Sequence, residues 1–185
     1  MVVEHPREDR MTNSEAIYAR FETLEESLAH CYFLLHERFI DDPPLAKFWL
    51  EAALDDLQHS SILRFCRERG ILANVDVGIS TADHVDMLLD TVKKIISDPG
   101  LTIDEALYAS LLMEASELDE AYEKLTRALA KDHLTLYETI RASLRTHHDR
   151  FANAATEFSS DQAYAEAFRA FGKAEKRALA QGMSL

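Results

Sequence analysis

Asp55-Asp56-Leu57-Gln58-His59-Ser60-Ser61-Ile62-Leu63 sets a carboxylate and an imidazole three residues apart within a long apolar helical pattern. That spacing places Asp56 and His59 about 60° apart around a helix axis, on one face. The stripe around them reads Leu45, Phe48, Trp49, Ala52, then Leu63 and Cys66. The pair therefore falls on the side that the apolar residues mark as inward. Asp42 reads as the cap of this helix, with Pro43 at its first position. Gly70 reads as its left-handed end.

The preceding helix is expected to open at the capping box Thr12-Asn13-Ser14-Glu15. It carries Tyr18, Phe21, Leu28, Tyr32, Leu35 and Phe39 at helical spacing, with one gap after Phe21. Only Asp41-Asp42-Pro43-Pro44 separates the two helices, so they should pack antiparallel, each roughly 40 Å long. Residues 71–101 break the pattern. Ile71 to Ser80 is irregular, a shorter helix spans about 83–96 with Val85, Leu88, Leu89, Val92 and Ile95 or Ile96 apolar, and Ser97-Asp98-Pro99-Gly100 is a turn. A second capping box, Thr102-Ile103-Asp104-Glu105, opens a third long helix with Leu107, Leu111, Leu118, Ala121 and Leu125 on one stripe. Asp132 is read as the cap of a fourth, striped by Leu136, Ile140, Leu144, Phe151, Ala154 and Phe158. Ser159-Ser160-Asp161-Gln162 caps a last helix to about Gln181. It carries Tyr164, Phe168 and Phe171 on one side and the cations Lys173, Lys176 and Arg177 near its end.

Composition agrees with this all-α plan. The 185 residues are 47% hydrophobic and include only 5 Gly and 4 Pro, which favours one domain of long helices. The division expected is a flexible tail over 1–12, a bundle over 13–158, and a C-terminal helix over 159–185 packed on the bundle or at an oligomer interface. The net charge of −13 argues against a nucleic-acid partner, because phosphate binding needs a basic face. Cys31 and Cys66 make no disulfide framework and read as buried thiols. The N-terminus lacks an apolar secretory core and no run reaches 18 apolar residues, so a soluble cytoplasmic protein is expected, with no membrane partner. Trp49, Phe168 and Phe171 leave room for a homodimer.

Each long helix also has a polar group near mid-length on its apolar side. Glu25 fills the gap on helix 1, with Glu26 competing for the inward position. Asp56 and His59 serve helix 2. Glu114 falls between Leu111 and Leu118, with Glu117 one turn on. His147 falls between Leu144 and Phe151, and the adjacent His148 points about 100° away, so at most one of the two is expected inward. His30, His36, His84 and His133 read as surface. Tyr32 and Tyr108 read as core aromatics able to hydrogen-bond near a site. Several carboxylates in one core repel each other and take up protons, and a bound cation removes the conflict. Oxygen and imidazole donors together match iron, manganese or zinc. A solvent-facing Glu25 and a plain core hydrogen bond between Asp56 and His59 remain the structural alternatives.

On these residues the chain resembles the rubrerythrin branch of the ferritin-like superfamily over roughly residues 13–158. Glu25 precedes the aromatic Tyr32 by seven, the run Asp55–Leu63 is similar to the family's acid-x-x-His helix, Glu114 and Glu117 match its third helix, and His147 followed by Phe151 matches its fourth. Leu144 stands where that helix has an acid, and no Cys-x-x-Cys pair supplies a rubredoxin-like domain. The resemblance implies a ferritin-like four-helix bundle with a long crossover between helices 2 and 3 and an extra C-terminal helix. It implies a metal site of Glu25, Asp56, His59, Glu114, Glu117 and His147 holding one or two ions, iron first, and an oxidoreductase acting on peroxide, oxygen or iron. The alternative is a degenerate bundle without catalysis, serving as a binding or assembly module. Whether the chain is an enzyme stays open at this point, as do substrate and electron donor.

Overall fold

The computed structural model describes residues 12–72, 79–114, 118–164, 166–167 and 169–170. Among them there are only helices, turns and loops: α1 (Asn13–Arg38), α2 (Pro43–Glu68), α3 (Ile79–Ile96), α4 (Ile103–Glu114), α5 (Leu118–Thr126), α6 (Leu129–Asp132) and α7 (Leu134–Phe158). No described helix is long and apolar enough to cross a membrane.

Local chemistry fixes several helix ends. The Thr12 hydroxyl accepts from the Glu15 amide while Glu15 accepts from the Thr12 amide at 2.7 Å, a reciprocal cap on α1. Asp42 accepts from the Leu45 amide and Pro43 opens α2. Gly70, at φ 65°, closes α2: its amide donates to Arg67 O at 3.1 Å and the Ile71 amide to Cys66 O at 2.8 Å. That double bond is the Schellman arrangement, which satisfies carbonyls a helix end leaves open. Thr102 and Glu105 cap α4 reciprocally. Asp161 accepts from the Ala163 amide at 2.8 Å, starting a further helical stretch at 162–164.

Three expectations need correcting. The shorter crossover helix is already formed at Ile79, four residues before Asp83, and no proline or glycine opposes helix between the two. The third long helix does not run on to Asp132: α5 ends at Thr126, and a turn at 127–128 separates it from the short α6. The α5 end coincides with a tertiary bond, in which the Tyr18 hydroxyl donates to Leu125 O at 2.6 Å and takes up a carbonyl near the helix terminus. Asp132 does not cap the fourth helix. It ends α6, and His133 stands at the start of α7 without a side-chain cap bond. The expected tail before Thr12, the C-terminal helix beyond residue 170, and Phe168 and Phe171 lie outside the described residues.

Side-chain pairs give the helix directions. Between α1 and α2, Glu22 meets Arg67, Glu26 meets Ser60, and His36 meets Ala46 O, so the two run antiparallel. Tyr18 meets Leu125 and Tyr32 meets Glu114, so α1 also opposes α4 and α5. Asp104 meets Ser159 while Glu114 meets His147, so α7 opposes α4. Arg150 meets Glu51 and Phe158 meets Phe48, so α7 opposes α2. Thus α1 and α7 point one way, α2 and α4–α5 the other, and the long connection through α3 joins two parallel elements. The amphipathic α3 packs on α1 and α4 and buries Val85, Leu89, Val92 and Ile96.

One end of the core is aromatic. Trp49 stacks on Tyr32 with centroids 6.0 Å apart, and Phe151 lies edge-on to Phe48 at 5.0 Å. Buried aromatic pairs of this geometry contribute beyond the area they bury. Glu114 and His147 lie next to this wall, bonded by Tyr32 and packed on Phe151.

Candidate metal centre

Of the residues read as inward, Glu25, Asp56, His59, Glu114 and His147 are all buried. Glu117 lies outside the described residues. The choice between the two glutamates of α1 is resolved. Glu25 is 1% exposed, whereas Glu26 faces solvent and receives bonds from Ser60 and Arg64. The histidine expectation is corrected, because His147 and His148 are both buried. A helix wedged between α4 and α2 has an inward arc wider than one residue, and it accommodates both rings. Tyr108 is exposed and pairs with Tyr164, away from the cluster.

The buried groups fall into two sets. In the first, α1 supplies Glu25 and α2 supplies Asp56 and His59. His59 Nδ1 lies 3.5 Å from Glu25 Oε2 and 3.9 Å from Asp56 Oδ1. One ligand atom from each of the three residues lies within 4.8 Å of the others. His59 is 2% exposed, and neither of its ring nitrogens has a hydrogen-bond partner among the described residues. The Tyr122 ring packs against the imidazole at 4.4 Å and screens it from water.

In the second set, α7 supplies His147, α4 supplies Glu114 and α2 supplies Asp55. His147 Nδ1 is 3.0 Å from Asp55 Oδ2 and Nε2 is 2.9 Å from Glu114 Oε2. The Tyr32 hydroxyl donates to the other Glu114 oxygen, Oε1, at 2.5 Å. Arg150 bonds Asp55 from the surface side. Burial alone would push the His147 pKa down. The Glu114 charge and the bonds to Asp55 and Glu114 outweigh it and hold the group well above its usual value. Asp55 is raised by burial but lowered more by His147 and Arg150, so it sits below the usual carboxylate range.

Sequence reasoning missed Asp55 as a partner of α7. Its signal was its place one residue before Asp56, about 100° around the helix. It also missed Glu22, a buried carboxylate held by Arg67 Nε at 2.6 Å and Nη2 at 3.1 Å, and by Arg64. Glu22 shows how this fold ordinarily settles a buried acid, with guanidinium donors in charge-assisted bonds.

Donor chemistry and geometry decide which set fits a metal. Bond lengths of roughly 2.0–2.2 Å to nitrogen and carboxylate oxygen put neighbouring ligand atoms about 3–3.5 Å apart. His59 Nδ1 lies at that spacing from Glu25, at 3.5 Å, and somewhat beyond it from Asp56, at 3.9 Å, with the three ligand atoms within 4.8 Å of one another, and His59 offers a buried nitrogen to the same space. The three residues fit an ion. The second set offers no such nitrogen on His147, and Leu144, one turn before it, is an apolar residue 3% exposed.

No protein-family model matches the chain, and no curated protein or solved structure matches it.

Proposed function

We propose that this all-helical protein is a metal-binding bundle of the ferritin-like kind, with Glu25, Asp56 and His59 as the ligands. The observation that carries the reading is His59: a buried imidazole, with neither nitrogen hydrogen-bonded among the described residues, facing two buried carboxylates. Burying polar groups in this way costs several kcal/mol if nothing compensates, and a divalent cation is the compensation that the donor set suits. The helix directions and the long link between α2 and α4 support the ferritin-like topology. Two oxygen donors and one imidazole accept iron, manganese or zinc. The rubrerythrin-like resemblance selects iron, which when bound supplies electron transfer to oxygen or peroxide. The protein's part is to hold the ion beside the Tyr122 ring and out of bulk water.

A second reading, a bundle without metal that serves binding or assembly, is favoured by the apolar Leu144 in the place of a family acid. Metal analysis decides between them. The full chain is equilibrated with Fe(II), Mn(II) or Zn(II), dialysed without chelator, and assayed for bound metal. The wild type should retain an ion, and His59→Ala should bind at least about tenfold more weakly, as loss of a ligand demands. Glu25→Gln provides a second variant, and circular dichroism confirms that each folds. Background metal in the wild type overturns the proposal and leaves the second reading.

A further inference from the structure

We propose that His147 is a built-in occupant of the second cation position: by bridging Asp55 and Glu114 through both ring nitrogens, it closes that half of the core to metal and limits the protein to one ion. The one-ion limit rests on the metal reading above; the bridge does not.

An ionised carboxylate only accepts hydrogen bonds. With Asp55 Oδ2 3.0 Å from Nδ1 and Glu114 Oε2 2.9 Å from Nε2, the His147 ring donates on both sides. A metal-ligating histidine donates one N–H to an outer partner and keeps the other nitrogen for the ion. His147 has none to spare. Glu114 is engaged at both oxygens, by Tyr32 at one and His147 at the other. Asp55 is further held by Arg150. The charges of the two carboxylates are thus met from within the protein, by the His147 imidazole and the Arg150 guanidinium, in bonds about twice as strong as neutral ones, with the buried His148 Nε2 a further 4.0 Å from Glu114 Oε2.

Leu144 completes the set. An acid there, one turn before His147, would add a third carboxylate to this half of the core and restore the demand for a cation. The buried leucine adds none. The two halves of the core therefore solve one problem differently. Around His59 the nitrogen is open toward carboxylates, while around His147 the place between the carboxylates is filled by the ring itself. The rings of His59 and His147 are 5.8 Å apart, so the closed half directly adjoins the open one.

Nuclear magnetic resonance of the full chain, with ¹⁵N-labelled histidine, tests both parts. In metal-free protein His147 should show two slowly exchanging ring N–H protons, assigned by their loss in His147→Gln, or through bonds if that variant does not fold. After titration with ¹¹³Cd(II) alone, one ion per chain should bind, with scalar coupling to a His59 nitrogen and none to His147, whose N–H protons should persist. Absence of either ring proton in metal-free protein overturns the bridge. Coupling of cadmium to His147, or a second bound ion, overturns the closure. Failure to bind any cadmium overturns the metal reading and the one-ion limit with it, while the proton signals still judge the bridge on their own.

Discussion

At the scale of single residues, Leu144 carries the sharpest contrast between resemblance and physics. It stands where the resemblance to rubrerythrins leads one to expect an acid, yet it behaves as ordinary core, 3% exposed, on the stripe it shares with Ile140 and Phe151. Truncating such a leucine removes transfer free energy and leaves a cavity that the surrounding helices only partly fill. Leu144→Ala should therefore cost about 2–5 kcal/mol. Urea unfolding reads this as a lowered midpoint with an unchanged slope. A loss under about 1 kcal/mol would show that the position is not packed, contrary to its burial. The inward residues were legible at this scale because a polar group interrupting an apolar stripe is visible in sequence. Their pairing was not. Nothing in the order of residues says that His147 meets Asp55 rather than Asp56, since that depends on how α7 is rotated against α2. The burial of His148 beside His147 was hidden for the same reason.

At the scale of elements, what could be read was whatever local chemistry decides. Thr12 with Glu15, Asp42 with Pro43, Thr102 with Glu105, and Gly70 all act within a few residues of themselves, and each ends its helix where the sequence places it. The break after α5 could not be read. No proline or glycine interrupts residues 101–132, and a tertiary bond from Tyr18, more than a hundred positions away in sequence, meets the chain where α5 ends. The Asp132 expectation failed beside it, because the acid became the last residue of α6 instead of the cap of α7. Where a cap did form, its contribution is measurable. Asp42 is exposed and accepts from the Leu45 amide at 3.2 Å, so Asp42→Ala removes one bond without opening a cavity. The expected loss is about 0.5–2 kcal/mol in global stability. A neutral result would mean that Pro43 and packing alone define the start of α2.

At the scale of the whole molecule, the bridge at His147 ties three helices together and makes stability depend on pH in a definite direction. The folded-state pKa of His147 lies well above the usual 6.5, so its contribution is full below that value and is lost as pH rises through the folded value. Asp55 is lowered from 3.8, so its contribution is present above that value and is lost as pH falls through the depressed one. Together they place the greatest benefit of the cluster between about pH 4 and 6.5, with decline on the alkaline side above it. The rest of the chain also responds to pH, since a net charge of −13 brings self-repulsion that grows as histidines and amines lose their protons. The cluster is therefore isolated by difference. Thermal melts of the wild type and of His147→Gln, both with chelator present, should be compared across the pH range. The variant keeps a polar side chain of similar reach but has no group to titrate. The gap in Tm should be widest in the mildly acidic window and should narrow as pH rises. A gap that stays constant with pH would mean that His147 supports the fold through packing alone, with no charge shared between Asp55 and Glu114.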